Sequence, residues 1–338
     1  MYEKRPVYEK RMTDIPSALP LVIVAGPTAS GKSALGLAIA AHFGGDVINA
    51  DSMQVYRDLR ILTARPTPEE EAQVPHRLYG VLDAAEHGTA ARWRGQALQA
   101  IAETAAKGRL PVLVGGTGMY LRGLLDGLVS LPPIPPAVRQ EARQMLEREG
   151  PAALHARLDA ETAASLQPHD SQRVLRAMEV LLGTSQGLAA WRRNGNAPGW
   201  PNPVACILLR PPRAALYARI DRRFEAMIAT GALDEALAVA ARDLPPDAPM
   251  RKAHGLPELL QYLAGAIPLA EAIRIGQLNT RHYAKRQTTW FRHQLIQRAQ
   301  DCLLVEESDL GEKENFKPEA KIFPFIVRYL LTMRQRAV

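Results

Sequence analysis

The sequence predicts an α/β fold, in which helices flank a parallel β-sheet and an all-helical lobe is inserted into the chain. Three observations carry this prediction. Strand-like and helix-like segments alternate along residues 19–130, strand character returns at 204–212, and no strand-like run occurs from 131 to 203. Strands that alternate with helices at this spacing form βαβ units, which build parallel sheets.

The elements of the first half follow from apolar runs and helix stop signals. An apolar, β-branched run at 19–25 predicts the first strand, and Leu35, Ile39 and Phe43 recur at helical spacing after a glycine-bearing turn. The Ala-rich segment 92–108 contains no proline and ends in Lys-Gly, which predicts a helix with a C-terminal stop. Further strands are predicted at 46–52, 76–83 and 110–116.

The second half opens with a proline-marked break, LPPIPPAV, which three predicted helices follow at 138–149, 151–166 and 170–183. A strand at 204–212, further helices to about residue 300 and a short strand at 301–307 complete the pattern. We therefore expect a tail at 1–18, a core at 19–130 and 204–307, a helical insertion at 131–203 and a C-terminal extension at 308–338.

Composition narrows the class of protein. Among 338 residues, 47% are hydrophobic and 23% are charged, as in ordinary globular proteins, and no apolar run approaches the ~20 residues that cross a bilayer. The formal net charge of +7 favours a polyanionic partner. Cys206 and Cys302 are far apart in the sequence and form no zinc motif, so we expect buried thiols in a cytoplasmic protein without a membrane partner. We expect a monomer.

A phosphate-binding loop is the strongest motif. The sequence GPTASGKS matches G-x-x-x-x-G-K-[ST] and lies between a predicted strand and a predicted helix, where this motif must lie. Its backbone N–H groups and lysine bind phosphate, and its final hydroxyl is placed to ligate Mg²⁺. The core is therefore expected to be P-loop NTPase-like. The predicted phosphate-binding residues are Gly26, Pro27, Thr28, Ala29, Ser30, Gly31, Lys32 and Ser33, with Ser33 as the metal ligand.

Asp51 is the acid that lies at a strand end near this loop in sequence. Nucleotide-hydrolysing enzymes with such loops normally carry an acid for Mg²⁺ on another strand, but the strand at 112–118 ends in glycines and a threonine. One alternative is therefore a P-loop kinase or ATPase in which the loop binds ATP and Asp51 serves Mg²⁺. Another is an RNA-binding module with a vestigial loop. Asp51 or Ser52 is also a candidate helix N-cap.

Three segments together resemble one family: GPTASGKS at 26–33, DSMQVYRDL at 51–59 and VGGTGMYLRGLL at 114–125. They are similar to the tRNA dimethylallyltransferases, also called tRNA isopentenyltransferases, in the shorter, bacterial-type form. Further matching segments lie at 76–78, 171–180, 218–227 and 281–293, so the resemblance runs from about residue 20 to 305.

The resemblance implies an activity and roles for residues. Family members transfer a dimethylallyl group from dimethylallyl diphosphate to the exocyclic amine of the adenosine 3′ of a tRNA anticodon, with Mg²⁺. In that interpretation the loop holds the diphosphate of the prenyl donor, and Asp51 accepts a proton from the adenine amine. Thr117 lines the route to the target base, Arg223 binds the prenyl donor's diphosphate, and Thr28 touches the donor or the amine.

The same resemblance implies contacts with tRNA. On a helix through 281–298, Arg281, Lys285 and Arg292 fall within about 40° of arc, opposite Tyr283 and Trp290. In the insertion, Arg173 and Arg176 share a face away from Leu175, Met178 and Leu182. The segment 252–259 departs from the family pattern at Leu256 and Pro257. The predicted tRNA-binding residues are Asp51, Ser52, Met53, Gln54, Thr117, Arg139, Gln172, Arg173, Val174, Leu175, Arg176, Lys252, Arg281, Lys285 and Arg292.

Overall fold

The computed structural model describes residues 19–193, 195, 197–245, 248–296, 301–306 and 320–336. The predicted tail at 1–18 lies outside these residues. So do residues 307–319 and 337–338, nearly all of which belong to the predicted C-terminal extension. No helix of the described segments is long and apolar enough to cross a membrane.

A parallel sheet forms the centre of the core, which confirms the predicted fold class. Within the described residues it has six strands in the order β3-β2-β4-β1-β5-β6. Every pair of neighbouring strands is parallel. The strands are β1 Val22–Ala25, β2 Gly45–Asn49, β3 His76–Arg77, β4 Leu110–Gly115, β5 Ala205–Leu209 and β6 Asp301–Val305. The strand predicted at 76–83 is thus only two residues long, and Leu82 returns in an isolated bridge to Tyr56.

Helices connect the strands and form the insertion. In chain order they are α1 Lys32–Phe43, α2 Pro68–Gln73, α3 Ala90–Ala106, α4 Gly118–Leu125, α5 Pro136–Ala156, α6 Ala160–Ala164, α7 Ser171–Thr184, α8 Leu188–Arg193, α9 Arg213–Ala229, α10 Ala232–Ala240, α11 Leu256–Leu263, α12 Leu269–Trp290 and α13 Ile322–Arg336. A 3₁₀ turn spans Pro249–Lys252, and a π-helical turn spans Phe291–Leu295 directly after α12.

The prediction of one regular α-helix through 281–298 is wrong beyond Trp290, where a π-helical turn follows. In that turn the rotation about the helix axis from one residue to the next differs from that of an α-helix. The arc calculated for Arg292 therefore does not hold. Residues 297–300 of this prediction lie outside the described residues.

Helices cover both faces of the sheet, because its strands alternate apolar side chains between the two sides. Val22 and Val24 pack in one buried cluster, whereas Ile23 packs in the other. Helix α13 covers the first face, where the hydroxyl of Tyr329 accepts a hydrogen bond from the amide of Leu21 (2.8 Å). The C-terminal extension, to which the sequence assigned no role, thus contributes a helix to the core.

The chain divides into two compact units at Leu125/Asp126 and at Gly199/Trp200. Both limits lie a few residues before the predicted ones. Trp200 already belongs to the core, because its amide donates to the carbonyl oxygens of Leu124 and Leu125. The smaller unit contains α5–α8 around its own apolar cluster, which includes Leu154, Val174, Ala177 and Met178. Helix α5 is broken at Gly150 (φ 78°), between the two helices predicted there.

Candidate active site

The phosphate-binding loop follows β1 and leads into α1. Ala29 (φ 61°) and Gly31 (φ 92°) adopt the left-handed conformation, while the amide of Ser30 donates to the carbonyl of Pro27 (3.2 Å). A loop of this kind turns successive backbone N–H groups toward one concavity, which suits an anion. Gly26 is packed so closely that a Cβ atom there would lie 2.6 Å from the Ser30 hydroxyl.

Lys32 is buried at the start of α1, with only 9% of its surface exposed. Its ammonium group lies 3.4 Å from the carbonyl oxygen of Pro27, so it points back along the loop. Burial lowers the pKa of Lys32 to about 8; the negative charge of Asp51 opposes this shift, and the positive charge of Arg223 adds to it. The next residue, Ser33, is exposed.

Asp51 stands two residues beyond the end of β2. The buried side chain of Asn49 fixes its backbone: the amide of Asp51 donates to Asn49 Oδ1 (2.8 Å), and Asn49 Nδ2 donates to the Asp51 carbonyl (3.0 Å). Sequence reasoning missed Asn49. The available signal was a polar residue directly after the apolar pair Val47 and Ile48 at the end of the strand, where an unpaired amide would be costly.

The carboxylate of Asp51 makes a local turn contact: its Oδ1 accepts a hydrogen bond from the amide of Met53 (2.9 Å). A series of turns follows, not a helix, so the interpretation of Asp51 as a helix N-cap is wrong. Its negative charge raises the pKa of both Lys32 and Arg223, against the effect of burial. It also raises the pKa of Tyr283. Asp51 is thus the negative centre of this site.

Thr117 follows β4 and holds the segment that carries Asp51. Its Oγ1 accepts a hydrogen bond from the amide of Ser52 (2.9 Å) and donates to the Ser52 hydroxyl (3.3 Å). The amide of Thr117 also donates to the carbonyl of Ala50 (3.2 Å). The ends of β2 and β4 therefore meet at one edge of the sheet, as parallel neighbours do.

Arg223 reaches the phosphate-binding loop from α9. Its Nη2 donates to the hydroxyl of Thr28 at 2.5 Å. Burial lowers the pKa of the Arg223 guanidinium, and the charge of Asp51 opposes that effect. The adjacent Arg222 is exposed. The structure thus brings Thr28, Lys32, Asp51 and Arg223 together.

Gln287 on α12 is a second residue that sequence reasoning missed. Its side chain accepts a hydrogen bond from the amide of Thr28 (2.8 Å) and donates one to the carbonyl of Gly116 (2.9 Å). Only 5% of its surface is exposed. The sequence offered a weak signal, a lone uncharged amide among the cations of RHYAKRQTTW.

Tyr283 and His254 form an aromatic wall near Asp51. Their ring centroids are 4.4 Å apart. Burial raises the pKa of Tyr283, the charge of Asp51 adds to this, and hydrogen bonding to Thr117 and Gln287 opposes it. Burial also lowers the pKa of His254, and the nearby positive charge of Arg286 adds a smaller effect in the same direction. The neutral form of the imidazole is therefore favoured. Tyr283, which the sequence placed on the side of the predicted helix opposite its cations, borders the site.

Two of the predicted tRNA-binding residues have buried side chains. Val174 is fully buried in the core of the insertion. Gln54 is 8% exposed, and its amide nitrogen already donates to the carbonyl oxygens of Thr63 (2.9 Å) and Ala64 (2.8 Å). Leu182, expected on the apolar face of α7, is exposed, because the buried stripe runs through Ala177 and Met178.

The other predicted RNA contacts differ in their exposure. Arg281 forms an ion pair with Asp221 (2.5 Å), so part of its charge is neutralised within the core. Arg173 pairs with Asp170 (3.4 Å) and Arg176 with Glu179 (2.9 Å) on exposed α7. Gln172, Lys252, Lys285 and Arg292 are exposed, whereas Ser52, Met53, Leu175 and Arg139 are half-buried.

Comparison with known proteins agrees with these motifs. A family model described as IPP transferase matches residues 54–294. A tRNA dimethylallyltransferase of Rhodopseudomonas palustris is 56% identical over 278 residues, covering 81% of this chain and 87% of that protein. A tRNA dimethylallyltransferase of Acidiphilium cryptum is 57% identical over 289 residues, covering 85% and 88% of the two chains.

Solved structures give the same result. The full-length tRNA isopentenylpyrophosphate transferase from Bacillus halodurans is 34% identical, with a TM-score of 0.67 over 94% of this chain and 98% of that one. A eukaryotic dimethylallyltransferase acting on tRNA is 28% identical, with a TM-score of 0.76 over 91% and 80% of the two chains. Because the family model spans most of the chain and relatives exceed half identity over four-fifths of it, this chain belongs to the IPP transferase family.

Proposed function

We propose that this protein is a tRNA dimethylallyltransferase. It transfers the dimethylallyl group of dimethylallyl diphosphate to the N6 amine of the adenosine 3′ of the tRNA anticodon, and it releases diphosphate. The observation that carries the proposal is the convergence of an anion-binding loop, the buried cation of Lys32, the half-buried cation of Arg223 and the carboxylate of Asp51.

The loop and the two cations bind the diphosphate. Loop amides, the Lys32 ammonium and the Arg223 guanidinium place positive charge where the leaving group gains negative charge during transfer. Since Lys32 and Arg223 are already desolvated, their interaction with diphosphate is stronger than it would be in water. Thr28 orients Arg223 through the hydrogen bond between their side chains.

Asp51 acts on the other substrate. The adenine N6 forms a bond to the allylic carbon while the bond from that carbon to the diphosphate oxygen breaks, and its electron pair leaves with diphosphate. The N6 nitrogen becomes acidic as it attacks, and its proton passes to the carboxylate of Asp51. Asn49 and Thr117 keep that carboxylate in place through the backbone contacts of residues 51 and 52.

The residues of the loop fit Mg²⁺. The exposed hydroxyl of Ser33 and the oxygens of a bound diphosphate are hard oxygen ligands, which Mg²⁺ prefers. No group of three or more histidine, cysteine, aspartate or glutamate side chains within the described segments could hold a metal ion. When bound, Mg²⁺ would neutralise charge on the diphosphate.

RNA binding is assigned to two surfaces. We place the anticodon stem on the insertion at α7, where Arg173 and Arg176 are exposed, and the backbone of the loop near Lys285 and Arg292 of the core. The target base must leave its stack to reach Asp51, as in other enzymes that modify bases. We propose that the protein acts as a cytoplasmic monomer.

The test is incubation of the protein with tRNA and labelled dimethylallyl diphosphate, in Mg²⁺ and without ATP. Label in the RNA, located at the adenosine 3′ of the anticodon after digestion, is the expected result. Label transfer without ATP would exclude the P-loop kinase or ATPase and the RNA-binding module. Transfer of phosphate from ATP, with no prenylated RNA, would contradict the proposal.

A further inference from the structure

We propose that Gln287 is a positioning residue. It holds the phosphate-binding loop and the turn after β4 at a fixed distance from each other, so that the two substrates meet. The proposal rests on the transfer reaction proposed above. It assigns Gln287 no contact with either substrate. Its function is to set the distance between the groups that hold the prenyl donor and those that hold the target base.

The side chain of Gln287 bridges two backbone groups that belong to different strand ends. Thr28 lies in the loop after β1, and Gly116 lies just after β4. The distances from the amide of Thr28 to Oε1 (2.8 Å) and from Nε2 to the oxygen of Gly116 (2.9 Å) are those of good hydrogen bonds. The Gln287 side chain and its hydrogen bond to Gly116 are buried, and the hydrogen bond to Thr28 is partly buried.

The neutral primary amide of Gln287 satisfies both partners, whereas an ionised carboxylate cannot. A backbone N–H can only donate and a backbone carbonyl can only accept, so the bridging side chain must present an acceptor to Thr28 and a donor to Gly116. This also fixes which atom of the Gln287 side chain is oxygen and which is nitrogen. A carboxylate would accept from Thr28 but oppose the Gly116 carbonyl with a second lone-pair oxygen.

Close packing keeps the turn after β4 against α12. A Cβ atom on Gly116 would lie 2.3 Å from Gln287 Nε2, and one on Gly118 would lie 2.5 Å from the ring of Trp290. Both glycines therefore allow a close approach, and a side chain at either position would have to displace Gln287 Nε2 or the Trp290 ring. The turn between them carries Thr117.

The bridge joins the two halves of the site. On one side, Thr28 receives the hydrogen bond from Arg223. On the other, Thr117 holds the amide of Ser52, next to Asp51. A shift of about 1 Å between these halves would cost roughly 10²-fold in rate, because transfer needs the allylic carbon and the N6 nitrogen in line.

The main test is Gln287→Glu, assayed across pH against the wild type. When ionised, the introduced carboxyl lacks the donor for Gly116; when protonated, it supplies one. We expect kcat at pH 8 to be roughly 10²-fold below that of the wild type, and the deficit to shrink at least about tenfold at pH 6. The KM for dimethylallyl diphosphate and the Kd for tRNA should stay within about threefold.

Expressing the result as a ratio to the wild type cancels the titration of groups that titrate alike in both proteins. Tyr283 on α12, Lys32 and Asp51 beside the loop, and Arg223 on α9 face this region and are common to both proteins. Gln287→Met lacks both hydrogen bonds, so its deficit should be independent of pH. Gln277→Glu is the matched control, because Gln277 is an amide on the same helix whose Nε2 donates to the backbone carbonyl of Asp221 and to the carboxylate of Glu225, outside the bridge.

A kcat of Gln287→Met within twofold of the wild type, or a Gln287→Glu ratio that is flat across pH, would overturn the proposal. So would a loss found wholly in KM for the prenyl donor. Hydrogen exchange supplies a readout that does not need the reaction: the amides of residues 26–33 should exchange faster in Gln287→Met than in Gln277→Met. If the wild type transfers no label, the proposed function fails, while unchanged exchange refutes the bridge itself.

Discussion

The guanidinium of Arg223 and the hydroxyl of Thr28, 195 positions apart in the sequence, form a hydrogen bond of 2.5 Å. This bond ties helix α9 to the phosphate-binding loop and aims a half-buried cation at the place where an anion would bind. It also separates the two adjacent arginines of α9, because Arg222 points to solvent.

Arg223→Ala should therefore weaken binding of the prenyl donor. Loss of a charged hydrogen-bonding group corresponds to about 1.5–3 kcal/mol, or roughly a 10- to 100-fold rise in KM for dimethylallyl diphosphate. Steady-state kinetics at saturating tRNA measure the change. Arg222→Ala is the matched control and should behave as the wild type. An unchanged KM together with weakened tRNA binding would assign Arg223 to the RNA instead.

Donor affinity should depend on pH through Lys32. Burial lowers the pKa of this ammonium to about 8, so in the free protein it is charged below pH 8 and loses its proton above it. Affinity for dimethylallyl diphosphate without tRNA should therefore be full below pH 8 and should fall as pH rises through that value. Isothermal titration of the wild type and of Lys32→Arg, which stays charged, isolates this effect. Parallel pH profiles for the two proteins would exclude Lys32 as its cause.

Two substitutions at Asp51 separate its roles in the turn and in proton transfer. In Asp51→Asn the amide oxygen can still accept from Met53, so the turn is kept while the base is lost. We expect single-turnover transfer to fall about 10²–10⁴-fold in both Asp51→Asn and Asp51→Ala, with binding of both substrates retained. Near-normal transfer by Asp51→Asn would leave Asp51 with the turn alone.

The insertion should contribute salt-dependent binding of tRNA. Replacing Arg173 and Arg176 by alanine removes two exposed cations from α7, and each lost phosphate contact should lower the slope of log affinity against log salt by nearly one unit. Binding of dimethylallyl diphosphate should not change. Arg274→Ala, which removes an exposed arginine of the core, is the control. If the double variant matches it in slope and affinity, α7 does not contact the RNA.

Gly115 should be the least tolerant glycine of the strand end that meets Asp51. A Cβ atom there would lie 2.2 Å from the carbonyl carbon and oxygen of Ala50, and this backbone cannot move without moving Asp51. Gly115→Ala should lower the free energy of unfolding by about 1–3 kcal/mol in urea titrations. Gly95→Ala is the contrast: nothing lies within 4 Å on α3, so the helix should gain about 0.5–1 kcal/mol. Equal stability of the two variants would contradict the packing described here.

Much of the fold could be predicted from local patterns. The apolar runs that became β1, β4 and β5, and the position of the phosphate-binding loop between β1 and α1, are set by neighbours in sequence. The local sequence pattern gave wrong predictions where tertiary contacts determine the backbone conformation. The segment at 76–83 kept only a two-residue strand, and the helix after Trp290 became a π-helical turn.

The sequence by itself determined the class of fold, the phosphate-binding loop and the candidate roles of Asp51, Lys32 and Arg223, because spacing and residue type carry those signals along the chain. Only the tertiary structure decided what holds these groups. Asn49 fixes Asp51, and Gln287 reaches Thr28 across 259 positions. Such partners are chosen by the need of each buried amide for an acceptor and each buried carbonyl for a donor. That need is settled by which chain segments pack together, and no pattern of neighbouring residues records it.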